Sequence, residues 1–144
     1  MENITSSDKF VAITQRYIED ILNLLIERGE EFSIVTISQF INLSPNIPEL
    51  FPKKDEHVRF DLAGYSFETL EIQDGKLVFQ AGFGQGVNIK ESRVTIDTIR
   101  ILQIALLSDG SLLLANFSTP PHRKEEKKDR TKLFLEKNRG KLKK

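Results

Sequence analysis

The sequence predicts an α+β fold, mostly β: an N-terminal helix followed by a small bent barrel or sandwich of about six short antiparallel strands. Three observations predict it. Residues 8–28 place apolar side chains at helical spacing. From Phe32 onward the pattern changes to short β-branched and alternating runs. Tight turn signals, Gln73-Asp74-Gly75 and Ser108-Asp109-Gly110, separate those runs. Short strands joined in this way commonly close on themselves as a barrel or sandwich.

In the helix, Phe10, Ile13, Tyr17, Ile21 and Leu24 share one face, and Val11, Ile18, Leu22 and Leu25 widen it. Ser7 or Asp8 can cap its start, and Gly29 can end it. At about 100° per residue the apolar arc covers roughly 220°. Arg16, Glu19, Asp20, Asn23 and Glu27 are left on a narrow polar strip. One sheet face covers only part of such an arc. Either the helix is deeply embedded, or part of it meets another subunit.

The strands follow in order. Phe32 to Ile37 is β-branched, with little helix preference. Asn42 to Glu56 contains Pro45, Pro48 and Pro52 and reads as mostly loop. Val58, Phe60 and Leu62 alternate with Arg59 and Asp61. Phe67, Leu70 and Ile72 lead into the Asp74-Gly75 turn, where these residue types supply the positive φ that a hairpin needs. Leu77, Phe79, Ala81 and Phe83 alternate with Lys76, Val78 and Gln80. Val87 to Ile96 reads as a further strand, and Asp97 as the cap of a short turn, Thr98 to Arg100. Ile101 to Leu107 and Ser111 to Phe117 flank the second hairpin signal. There is no internal repeat.

The chain has 144 residues, about one domain's worth, of which 39% are apolar. With no cysteine, a disulfide framework, a cysteine zinc site and a thiol nucleophile are excluded. No apolar run approaches the roughly 18 residues of a membrane helix. Met1-Glu2-Asn3-Ile4 lacks the basic-then-apolar pattern of a signal peptide. The expectation is a cytoplasmic protein without membrane association.

The zero net charge hides an asymmetry. Residues 1–122 hold 10 basic and 17 acidic side chains, whereas residues 123–144 hold 11 basic and 4 acidic. Thr119-Pro120-Pro121 stops any strand, since proline lacks the ladder donor. Arg123 to Arg130 contains no apolar residue and cannot offset the entropy of ordering. The expected organisation is one globular domain over 1–119 and a basic, mobile tail over 120–144. The tail reads as a solubilising extension, as an arm attracted to nucleic-acid phosphates, or as a linear motif. In the last case Leu133-Phe134-Leu135, between Lys132 and Lys137, docks in a partner's groove. Glu125, Glu126, Asp129 and Glu136 weaken the nucleic-acid version.

Catalytic constellations are sparse. Neither His57 nor His122 has a histidine or carboxylate partner at a recognised metal spacing. Gly82-Phe83-Gly84-Gln85-Gly86 falls one residue short of the dinucleotide fingerprint and lacks the Lys-Ser/Thr of a P-loop. It reads as a bulge or bend, or as a place where another backbone approaches closely, as in strand addition by a peptide. Asp55, Glu56, Asp61, Glu68 and Glu71 cluster in sequence, but alternation puts most of them on solvated faces. No G-x-S-x-G is present. A non-enzymatic protein without cofactor or metal is expected.

The order of elements resembles the stringent starvation protein B (SspB) family, adaptors that bring tagged substrates to the ClpXP protease. Tyr17 to Arg28 followed by Phe32 to Ile37 is similar to that family's opening helix and first strand. Val58 to Leu62 with Phe67-Glu-Thr-Leu70 resembles its strand, apolar segment and Asn-Leu. Leu77 to Gly84 is similar to its Ile-x-Phe-x-Ala-Arg-Phe-Gly-Gly, with Phe79, Ala81, Phe83 and Gly84 as the strongest identities. Val94 to Leu106 keeps the family's spacing, so that the likeness spans residues 16–117.

The resemblance implies an Sm-like bent barrel and a homodimer formed through the helix, with Tyr17, Ile18, Ile21, Leu22 and Leu25 at the interface. It also implies a groove for an extended peptide or tagged protein, at Val58, Phe60, Leu70, Phe79, Gly82, Phe83 and Gly84. An AAA+ unfoldase would then be a partner, with Leu133, Phe134 and Leu135 as the docking residues. Three departures matter. The family's arginine, placed at the peptide groove, is Gly82 here, which puts its tag specificity in doubt. Its Asn-Leu is Thr69-Leu70. Its long acidic tail with a terminal anchor is replaced by a short basic one. The alternatives are a single-stranded nucleic-acid module of Sm or OB type using the basic tail, and a structural or assembly subunit.

Overall fold

One long helix and eight short strands make up most of the regular structure in the computed structural model, which describes residues 3–84 and 86–121. Helix α1 spans Asp8–Arg28. The Ser7 hydroxyl accepts the Phe10 N–H at 3.2 Å and so caps it, and Gly29, at φ +70°, ends it. The strands are β1 (Phe32–Ile37), β2 (Ile41–Ser44), β3 (His57–Leu62), β4 (Glu71–Gln73), β5 (Lys76–Phe83), β6 (Lys90–Asp97), β7 (Gln103–Leu106) and β8 (Leu112–Ala115). A single helical turn, α2 (Tyr65–Glu68), separates β3 from β4.

The strands form two antiparallel sheets, ordered β3-β1-β7-β8 and β2-β6-β5-β4. The expected α+β, mostly β class therefore holds, in its two-sheet form and not as a closed barrel. The chain passes between the sheets four times, and two of these passages run through a 3₁₀ turn: Ser38–Phe40 carries β1 into β2, and Thr98–Arg100 comes between β6 and β7. The two passages are fastened to each other. The buried Thr36 hydroxyl donates to the Arg100 carbonyl at 2.7 Å, and the Arg100 guanidinium lies 4.1 Å above the Phe40 ring.

The core fills the space inside the two sheets. Phe32, Ile34, Phe60, Leu62, Leu77, Phe79, Val94, Ile96 and Ile104 come from strands, and α1 adds Ile18, Leu22 and Leu25. The helix is also held by polar contacts. The Glu19 carboxylate accepts from the Thr98 hydroxyl at 2.7 Å and from the Gln15 amide at 3.2 Å.

Several expectations need correction. There are eight strands, not six, among the described residues. Asn42 to Ser44, expected as loop, lies in β2, because β6 offers this short segment a ladder. Residues 87–89, expected as strand, precede it: Gly84 and Gly86 take positive φ, a 3₁₀ turn follows at Gly86–Asn88, and β6 begins at Lys90. Asp97 makes no side-chain cap bond; its carboxylate meets the Lys76 ammonium at 3.3 Å. Ile18, Leu22 and Leu25, expected at a dimer interface, are 0%, 0% and 4% exposed within one chain, so they belong to its own core. Ile21 is partly buried against that core, and Tyr17 is exposed.

By its internal contacts the chain divides into two units. One is Ala12–Phe117, which contains both sheets. The described part of the other comprises residues 3–11 and 118–121. In it the Asn3 side chain caps a 3₁₀ turn at Ile4–Ser6, and Thr5 and Thr119 share a main-chain bond and a hydroxyl bond, each 2.8 Å. His122 and the docking motif expected at Leu133, Phe134 and Leu135 lie outside the described residues.

Candidate peptide-binding groove

Two open strand edges in the Ala12–Phe117 unit border one groove. The first belongs to β3, which is at the end of its sheet. The Ser38 N–H donates to the Glu56 carbonyl at 2.8 Å, and the register carries this pattern to Thr36/Val58 and Ile34/Phe60. The main-chain groups of His57, Arg59 and Asp61 consequently point away from β1.

The second edge belongs to β5. Its partner β4 covers only Lys76 to Val78. The Asp74-Gly75 turn, with φ of 50° and 76°, makes Gln73 and Lys76 a hydrogen-bonded pair. Val78, Gln80 and Gly82 therefore turn their main-chain groups to the same side as Lys76. On the opposite side, the Thr98 N–H donates to the Gly75 carbonyl at 2.9 Å, which assigns the odd-numbered residues of β5 to β6. Among the described residues, no strand pairs with β5 beyond Val78 on the β4 side.

Between these edges is a groove of about 320 Å³. Its aromatic lining comes from inward positions of both strands. The Phe60 ring meets Phe79 edge to face at 5.3 Å and Phe83 at 6.4 Å. Arg59, Asp61, Tyr65, Ser66 and Gln80 supply polar lining, and Ala63, Ala81 and Gly82 small surfaces. The Arg59 guanidinium is paired with the Asp61 carboxylate at 2.8 Å, both side chains being more than half exposed. Such a surface pair contributes little to stability, but among the described residues it leaves the groove without an uncompensated cation.

Of the seven expected peptide-binding residues, the structure brings Phe60, Phe79, Gly82 and Phe83 to this groove. Val58 and Leu70 are not in its lining and pack with the core, Leu70 at 8% exposure. Gly84 serves a different purpose. At φ +112°, a Cβ there would meet the Asn88 carbonyl oxygen at 2.6 Å, so the close approach that requires glycine is made by the chain itself. Arg59, Asp61, Tyr65 and Ser66 went unnoticed as groove residues in the sequence. The alternation of β3 marked the first two as outward-facing, but nothing local places them beside β5.

Ionisable groups with displaced pKa values occur elsewhere. The Lys90 ammonium, 2.7 Å away, holds the Glu49 carboxyl below its ordinary value. The Ser111 N–H does the same for Asp109, and burial lowers Arg100. Among the described residues no three histidine, cysteine or carboxylate side chains gather as a metal site. A second hollow, of about 390 Å³, is lined by Gly29, Glu30, Glu31, Phe67, Leu107 and Ser108. It lies at the helix end, and Glu31 accepts the Gly64 N–H there at 2.8 Å.

No described helix is long and apolar enough to cross a membrane. The chain matches no known family model and no curated protein sequence.

Proposed function

We propose that the groove between β3 and β5 captures an extended peptide by strand addition, and that the protein is a non-enzymatic adaptor. The observation that carries this reading is the unpaired β5 edge at Gly82, directly beside the aromatic lining of Phe60, Phe79 and Phe83. An open edge supplies main-chain hydrogen bonds to any sequence, and the apolar lining selects side chains. Each apolar side chain fully buried there adds about 1.5–3 kcal/mol. Among the described residues the one basic side chain in the lining, Arg59, is already paired with Asp61, which favours a peptide over a nucleic-acid strand.

In its fuller form the captured protein is handed to an ATP-dependent unfoldase and protease in the cytoplasm, with Leu133-Phe134-Leu135 as the docking motif. That extension rests on the resemblance to the SspB family. A homodimer belongs to the same reading. Its surface would be the α1 face where Ile13, Tyr17 and Leu24 are 63%, 53% and 48% exposed, with Ile21 at its margin.

The test is to pan phage-displayed decapeptides against the full chain, then titrate an enriched, fluorescently labelled peptide. Phe83→Ala is expected to weaken binding at least tenfold while the thermal transition stays cooperative. Equal losses of binding and folding would reduce Phe83 to a core residue. A labelled single-stranded oligonucleotide is the counter-probe; if it binds in low salt and displaces the peptide, the nucleic-acid reading replaces this one. Light scattering at several concentrations checks the dimer, which Leu24→Glu should dissociate.

A further inference from the structure

We propose that Thr69 sets the register and the usable length of the strand that β5 accepts, a role that rests on the peptide-capture reading above. Thr69 follows α2, just before β4 begins. Its hydroxyl oxygen accepts the Gln80 N–H at 2.9 Å. Gln80 is the first residue beyond Val78 whose main chain points to the open side. A side chain thus takes the position that the next residue of β4 would have filled.

The hydroxyl is held in this accepting role. Its oxygen lies 3.1 Å from the Tyr65 carbonyl and 3.2 Å from the Ser66 carbonyl, both on α2. A hydroxyl has one proton, and that proton goes to α2, leaving a lone pair for Gln80. Thr69 therefore ties the turn after β3 to the free edge of β5.

The consequence for an incoming strand is geometric. At Gly82 both the N–H and the C=O are turned to the open side, so an antiparallel peptide residue opposite Gly82 exchanges two hydrogen bonds with it, and a parallel peptide makes the two with the residues on either side. Two residues further along, toward Gln80, only the carbonyl is offered, because Thr69 occupies the N–H. Beyond Gln80, Val78 is already paired with β4, so an antiparallel or parallel peptide alike loses its ladder there. The groove consequently reads a short extended segment registered on Gly82, and adding residues past Gln80 brings no further main-chain bond.

The experiment uses the full chain, peptides enriched from the decapeptide selection, and a truncation series of each. In the wild type, affinity should stop rising once the peptide reaches Gln80. Thr69→Ala frees the Gln80 N–H, and the step in affinity when the peptide reaches Gln80 should then grow about 2- to 10-fold, the equivalent of one net hydrogen bond. Thr69→Ser keeps the hydroxyl and should behave as the wild type. Amide exchange gives a readout on the wild type alone. Saturating peptide should slow exchange of the Gly82 N–H at least tenfold and leave Gln80, already protected, unchanged. Identical length dependence in wild type and Thr69→Ala, or a Gln80 N–H that gains protection only when peptide is bound, would overturn the role of Thr69 while leaving peptide capture intact. If no peptide is enriched, capture itself falls, and the register role falls with it.

Discussion

Phe60 on β3 and Phe79 on β5 meet edge to face across the two sheets, with ring centroids 5.3 Å apart and planes at 74°. The first strand belongs to one sheet and the second to the other, and no ladder joins them. Their aromatic contact supplies part of what main-chain pairing would have supplied, about 0.5–1.5 kcal/mol beyond the area buried. The main-chain edges beside it remain open, and this combination makes the seam a candidate for capturing a strand.

The three rings of that seam should separate into structural and functional ones. Phe79 is 1% exposed, whereas Phe83 is only partly buried. Phe79→Ala is expected to cost about 3–5 kcal/mol in urea unfolding. Phe83→Ala should cost clearly less and act mainly on peptide affinity. Equal costs would place Phe83 in the core.

Helix α1 should show a sharp contrast between neighbouring leucines. Leu22 is fully buried and Leu24 is 48% exposed. Leu22→Ala should destabilise by about 2–5 kcal/mol, and Leu24→Ala by about 0.5 kcal/mol or less at concentrations where the chain is monomeric. A larger effect of Leu24→Ala that grows with protein concentration would point to a covered face.

Gly84 offers a test of the self-approach at the end of β5. A methyl group there meets the Asn88 carbonyl oxygen at 2.6 Å and also has to adopt φ +112°. Gly84→Ala should therefore destabilise by at least about 1–3 kcal/mol. Gly29→Ala meets nothing within 4 Å and carries only the left-handed backbone penalty, about 1–2 kcal/mol. Equal thermal shifts for the two variants would contradict the crowding at Gly84.

The β7–β8 turn predicts an acid-sensitive contribution. The Asp109 carboxylate accepts the Ser111 N–H at 2.9 Å, which holds its pKa below the ordinary value. For a carboxyl with a depressed folded-state pKa, the stabilisation is present above the unfolded value, about 3.9. It is lost as pH falls through the lower folded-state value. A carbon-detected NMR titration should give Asp109 a midpoint below 3.9, and a midpoint at or above that value would remove the bond from the account.

Much of the fold was legible because its signals are local. Ser7 and Gly29 bracket α1, and Asp74-Gly75 sets the β4–β5 hairpin through two adjacent positive φ angles. The alternation in β3 and β5 places Phe60, Phe79 and Phe83 on inward faces. Less legible were features that need a distant partner. β2 has only four residues and becomes a strand because β6 pairs with it. Val58 and Leu70 share the apolar character of the groove residues, yet packing turns them to the core. Thr69 stood out in the sequence only as a departure from the resembled family's Asn-Leu, since its bond to Gln80 depends on where α2 ends relative to β5.

By itself the sequence determined the class of this protein: one capped helix, then short strands with tight turns, with no cysteine chemistry and with an acidic excess over residues 1–122 balanced by a basic one over 123–144. Tertiary structure alone decided which part of the wide apolar arc of α1 is covered, Ile18, Leu22 and Leu25, and which part is left in solvent, Ile13, Tyr17 and Leu24. It also decided that β4 begins only at Glu71, opposite Val78, and leaves β5 open at Gly82. The physical reason is the range of the forces involved. Capping, turn geometry and side-chain alternation act between residues close in sequence, whereas burial and strand pairing depend on what distant segments bring alongside.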